Sequence, residues 1–112
     1  MLSLRLHKPW HELAESELVE ESTATGVYQL ADEEGRIVDI GYAGARSRFG
    51  LREVLEQCLT QSSKPLKYRV EVNHNYLSRF RELLLVHRYD YGELPVEVSR
   101  RGIDVHGRLN PS

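Results

Sequence analysis

The stretch from Gly26 to Leu59, GVYQLADEEGRIVDIGYAGARSRFGLREVLEQCL, limits what this chain can become more than any other part of it. Val27 and Leu30 flank Tyr28 and Gln29, and further on Ile37, Val38 and Ile40 surround Asp39. Runs of this kind, rich in β-branched residues and bounded by Gly and Asp clusters, predict two short strands. Asp32-Glu33-Glu34-Gly35 supplies the turn between them, with a Gly to accept the positive φ that such connections need. The two strands are expected to form an antiparallel hairpin. Gly41 and Gly44 bracket Tyr42 and Ala43 and read as a tight strand-to-helix turn. From Leu51 onward, Leu51, Val54, Leu55, Cys58 and Leu59 follow the i, i+3, i+4, i+7, i+8 pattern of a helix with one buried face.

Before this stretch, Leu2, Leu4 and Leu6 alternate with polar residues as a short strand or extended arm ended by Pro9. Trp10, Leu13, Ala14 and Leu18 recur at helical spacing, and Pro9 suits a helix start, so an acidic helix over 10–21 anchored by Trp10 is predicted. Beyond the central helix, Leu66, Tyr68, Val70 and Val72 alternate strictly with Lys67, Arg69 and Glu71, the pattern of a half-buried antiparallel or edge strand. Asn73 to Asn75 are expected to cap a helix over 76–88, which carries Leu77, Phe80, Leu83, Leu84 and His87 on one side. Gly92 and Pro95 end it, and Val96 and Val98, with Ile103 and Val105, are read as a last extended segment. The fold class is thus α/β of the α+β kind: a small, mainly antiparallel sheet with a β-hairpin, packed against helices. The 112 residues suffice for one domain, divided into an arm and helix at 1–25, a core at 26–95 and an extension at 96–112.

Composition narrows the function. With 40% hydrophobic and 29% charged residues and no run of about twenty apolar ones, the chain reads as a globular protein without a membrane span. No secretory leader is recognisable, so a cytoplasmic location is expected. The single Cys58 excludes an internal disulfide and a cysteine-rich metal site. Net charge is −2 but uneven: residues 1–35 carry −6 and residues 36–112 carry +4. A basic body with an acidic lead suits a polyanion-binding surface partly shielded by its own arm, and suits ordinary solvated faces equally. The five histidines are scattered, and Pro9 separates His7 from His11.

Glu82 is unlike a solvated glutamate, because Leu85 and Val86 stand on its own helical flank. A carboxylate at such a margin wants a partner, either an arginine or a divalent cation. From the residues alone the arginine comes first.

Gly26-Val27-Tyr28, a turn, a second strand ending in Asp39-Ile40-Gly41, a short loop and an arginine before a helix resemble the GIY-YIG nuclease domain over roughly residues 26–95. Asp39 stands where that family has its second tyrosine, and Val98 stands about where it has an Asn. The resemblance implies Mg²⁺-dependent phosphodiester hydrolysis of nucleic acid. Glu82 is then the metal ligand, Tyr28 the base or its orienting hydroxyl, and Arg48 the cation that offsets developing charge. Arg52 would substitute for Arg48 one turn later, and Asp39 would draw the metal toward the hairpin. Lys67 and Arg69 read first as solvated side chains of the strand, and on a nucleic-acid-binding fold they would touch phosphates. The alternative is an inactive relative that binds nucleic acid or a protein partner, motivated by Asp39 and the missing Asn. A further reading has the acidic 10–21 helix regulate a partner. All versions with catalysis require Tyr28, Arg48 and Glu82 to meet in one cleft.

Overall fold

A computed structural model describes residues 4–103. Its centre is a four-stranded antiparallel sheet in the order β1-β4-β2-β3, with β1 at His11–Glu12, β2 at Gly26–Ala31, β3 at Ile37–Ala43 and β4 at Lys67–Val72. Helices cover both faces. On one lie α1 (Glu15–Leu18) and α2 (Gly50–Gln61), and on the other α3 (Tyr76–Tyr91) and α4 (Val96–Arg100). The small α+β fold expected from the sequence is the one observed. Among the described residues no helix is long and apolar enough to cross a membrane.

The hairpin forms as its turn chemistry dictates. Asp32 Oδ1 accepts the backbone N–H groups of Glu34 and Arg36 at 3.0 and 2.9 Å, and Gly35 takes φ +88°. Strand alternation then sorts side chains to the two faces. Tyr28, Leu30, Tyr68, Leu51 and Leu55 pack with Leu13 and Leu18 under α1 and α2. Val27, Ile40, Leu83, Leu84 and Val98 pack with Leu6 under α3 and α4. Each fully buried leucine or isoleucine contributes about 1.5–3 kcal/mol by leaving water.

Four expectations change. The helix over 10–21 is absent: His11 and Glu12 pair with Tyr68 and Lys67 as strand β1, and only Glu15–Leu18 makes a helical turn. The free edge of β4 offered ladder hydrogen bonds that local periodicity does not reveal. Residues 4–8 form no strand, although Leu6 is buried, while Leu2 lies outside the described residues. Asn75 stands at the α3 N-cap without a side-chain cap bond, and Asn73 Oδ1 instead accepts the Asn75 N–H at 2.7 Å. Val96 and Val98 belong to the short helix α4 rather than to an extended segment, since Pro95 is pre-set for a helix start. Val105, His106 and Arg108 lie outside the described residues.

Gly41 and Gly44 also differ from expectation, because β3 runs through Gly41 to Ala43 and the chain turns only after it. Gly41 is needed for close approach: a Cβ there would overlap the Tyr28 ring. The positive φ near this turn belongs to Gly50, at +56°, where a Cβ would meet the Thr23 carbonyl.

Candidate functional site

Tyr28 projects from β2 onto the α2 face, where it is buried. The Cys58 thiol, one face of α2 inward, donates to its hydroxyl at 3.6 Å. Asp39 shares this face, because Leu30 and Asp39 are cross-strand partners and so project together. Its side chain is only 7% exposed, and Arg101 Nη1 stands 3.0 Å from Oδ1. That contact is ionic rather than a well-directed hydrogen bond, for Oδ1 has no hydrogen-bond partner among the described residues. Arg101 follows α4 on the other face of the sheet and reaches around edge strand β3, where it also donates to the Ile40 carbonyl at 3.3 Å.

Electrostatics in this cluster oppose proton abstraction. Burial, with Cys58 and Asp39 alongside, pushes the Tyr28 phenol well above its ordinary value of 10.0, and burial raises the Cys58 thiol too. Burial likewise raises the Asp39 carboxyl, with Arg101 pulling in the other direction. A general base must shed its proton near working pH, and this phenol is shifted away from that range. This burial weighs against Tyr28 as the base, one of its two expected roles, and its hydroxyl already accepts from Cys58.

Glu82 lies on the opposite side of the sheet. It projects from α3 and accepts from Arg79 Nη1. The same guanidinium binds Glu71 of β4 through Nε at 2.8 Å and Nη2 at 3.2 Å, and donates to the Leu4 carbonyl at 2.6 Å. Glu71 pairs in register with Val27, on the face away from Tyr28. Arginine, one of the two partners considered for Glu82, stands against it. A Mg²⁺ ion placed at Glu82 would face the Arg79 guanidinium, so this position does not fit the ion. Among the described residues no group of three or more His, Cys, Asp or Glu side chains is arranged to hold a metal.

The arginines divide by role. Arg48 is exposed in the β3–α2 loop, with its guanidinium 5.6 Å from the Phe49 ring centroid. Arg52 is turned inward and gives Nη2 to the Val19 carbonyl at 2.6 Å, tying α2 to the end of α1. Arg69 gives Nε to Gln29 Oε1 at 2.7 Å and lies 4.2 Å over the Trp10 ring, which makes it a joint between sheet and arm. Lys67 is half-buried beside β1. Tyr28, Arg48 and Glu82 therefore do not converge: one is sealed under α2, one is at a loop surface and one is neutralised across the sheet. Alternation and intervening packing enforce the separation.

Sequence reasoning missed Arg79 and Arg101, the two groups that neutralise Glu82 and Asp39. Arg79 was within reach of inspection, since it precedes Glu82 by three residues on one helix. Arg101 gave no such signal, because its carboxylate is 62 positions away.

The sheet end formed by Gly26, Ala43 and Val72 has a different character. Tyr42, 41% exposed, stacks on Tyr76 at 5.5 Å and meets Phe80 edge-on at 5.0 Å. The Tyr76 hydroxyl accepts the Ala45 N–H at 3.2 Å and so holds the β3–α2 loop against α3. Phe49, 53% exposed, and the exposed Arg46 and Arg48 project from that loop.

A family model described as "Domain of unknown function (DUF7508)" matches residues 4–90. No curated protein and no solved structure matches the chain.

Proposed function

The chain belongs to the DUF7508 family, and from that premise we propose that it is a catalytically inactive GIY-YIG-like module that binds single-stranded nucleic acid. The observation that carries this reading is a surface on which exposed arginines stand beside aromatic rings, with Glu53, whose Oε1 accepts the Phe49 N–H at 2.9 Å, as the acid at its margin. Residues 40–52 and 72–81 contain no Asp or Glu, and the Gly44–Tyr76 contact brings them together at one end of the sheet. Arg46 and Arg48 would meet phosphates there, while Tyr42 and Phe49 offer faces for unpaired bases. Arg52 and Arg79 belong to the same segments but are held by internal partners. The first α2 amides are also committed, with Leu51 and Arg52 donating to Ala24 and Ser22 carbonyls at 3.0 Å. Binding therefore rests on the loop side chains rather than on a helix terminus.

What favours an inactive module over a nuclease is the set of partners the acids already have. Glu82 and Asp39 each have an arginine against them, and burial holds Tyr28 protonated. The test pairs two assays on purified full-length chain. Fluorescence anisotropy with labelled single-stranded DNA and RNA should show binding that the Arg46→Glu/Arg48→Glu double variant loses. Incubation of the same strands with Mg²⁺ should leave them intact. EDTA-sensitive cutting that disappears in Glu82→Ala would restore the hydrolytic reading. Equal binding by the double variant would remove this loop from the nucleic-acid contact, and no binding by the unaltered chain would send the module to a protein partner instead.

A further inference from the structure

On the α3 face, toward the hairpin end of the sheet, a cavity of about 130 Å³ opens between the N-terminal arm, β2, β4 and the last turns of α3. Two groups in its wall lack what their chemistry requires. The Arg69 guanidinium is half-buried and touches only neutral partners: the Gln29 amide, the Trp10 ring and the Lys8 carbonyl at 3.4 Å. Among the described residues no carboxylate pairs with it, and burial pulls its pKa down with only the Tyr91 phenol pulling the other way. His87 is 8% exposed, and its Nδ1 has no hydrogen-bond partner among the described residues. The other charges in the wall, Arg5 and Asp90, neutralise each other, with Arg5 Nε donating to Asp90 Oδ2 at 2.9 Å.

A half-buried cation without a counter-charge and a buried imidazole nitrogen without a partner both carry a cost that a bound counter-group would offset. One ligand remedies both. We propose that this cavity binds a small oxyanion, the phosphate or carboxylate group of a small molecule, held by Arg69 and His87. Guanidinium accepts such groups through paired N–H donors, and a neutral imidazole can present Nδ1–H in the appropriate tautomer. The cavity is well below the roughly 300–1,000 Å³ of ordinary ligand pockets, so the occupant is little larger than the anionic group itself. A nucleic-acid strand does not fit. The site is thus separate from the aromatic and basic end of the sheet and does not depend on the function proposed for that end.

The test titrates the full chain with inorganic phosphate and, separately, with acetate at constant ionic strength, while following backbone and histidine-ring ¹H–¹⁵N signals. Saturable shifts centred on Gln29, Arg69 and the Leu83–Tyr91 turns are expected. Arg69→Met, which keeps the stem that packs on Trp10, should weaken them roughly tenfold or more. His87→Leu should weaken them as well and provides a second variant should the first fail to fold. A stronger response to acetate than to phosphate would identify a carboxylate ligand, and the reverse a phosphate; either supports the site. No saturable shift with either anion, or unchanged affinity in a folded variant, overturns it.

Discussion

Gly41 and Tyr28 face each other across the β2–β3 pair, and the space one lacks is the space the other fills. Gly41→Ala should therefore lower stability by about 1–3 kcal/mol through overpacking, read as a shift in the urea midpoint. The double variant Gly41→Ala/Tyr28→Leu should lose less than the sum of the two singles, because the overlap is removed with the ring. His87 gives a pH signature of its own. Burial pulls its pKa below the ordinary 6.5, while Asp90 and Glu93 pull upward. The folded state then binds fewer protons than the unfolded chain, so this contribution to stability is present above about 6.5 and is lost as pH falls toward the folded value. Thermal midpoints measured from pH 7.5 down to 5 should fall, and His87→Leu should flatten that part of the curve.

At the scale of elements, Arg79 is the clamp that joins α3 to β4 and to the N-terminal arm. Its side chain is 11% exposed and meets Glu71, Glu82 and the Leu4 carbonyl together. Removing the cation leaves two acids facing each other in partly desolvated surroundings. Arg79→Met should cost about 2–4 kcal/mol, less than for a fully buried pair because Glu82 still reaches solvent, and adding Glu71→Gln should recover part of the loss in a denaturation series. Periodicity made α2 and β4 legible, since each buries one continuous stripe of its own residues. It misled at β1, where helical spacing of Trp10, Leu13 and Leu18 coexists with a strand pairing supplied by β4. It also missed α4, a single turn too short for any period to register.

For the whole molecule, two segments far apart along the chain come to share one end of the sheet. The acid-free segments 40–52 and 72–81 gather at one end of the sheet, while Glu12 sits in β1 at the edge opposite β3. Nucleic-acid affinity should accordingly fall with salt, with a slope of about −1.4 in log K against log salt if Arg46 and Arg48 each neutralise one phosphate of a single strand. Arg48→Gln should halve that slope in anisotropy titrations. A slope near zero would remove phosphate contact from the account of this surface.

Local patterns in the sequence determined the hairpin, the amphipathic helix α2, strand β4 and the α+β class, because turn chemistry and hydrophobic period act over a few neighbouring residues. The apolar flank of its helix singled out Glu82, and the family resemblance singled out Tyr28 and Asp39. Which partner each of them meets was decided only by tertiary structure. Strand alternation sends Tyr28 and Glu71 to opposite faces, and an arginine beyond α4 wraps a sheet edge to reach Asp39. Spacing along a chain gives the kind of side chain available. Only packing across the sheet sets the distance between two of them, and distance governs whether a carboxylate meets a cation, a proton or another side chain.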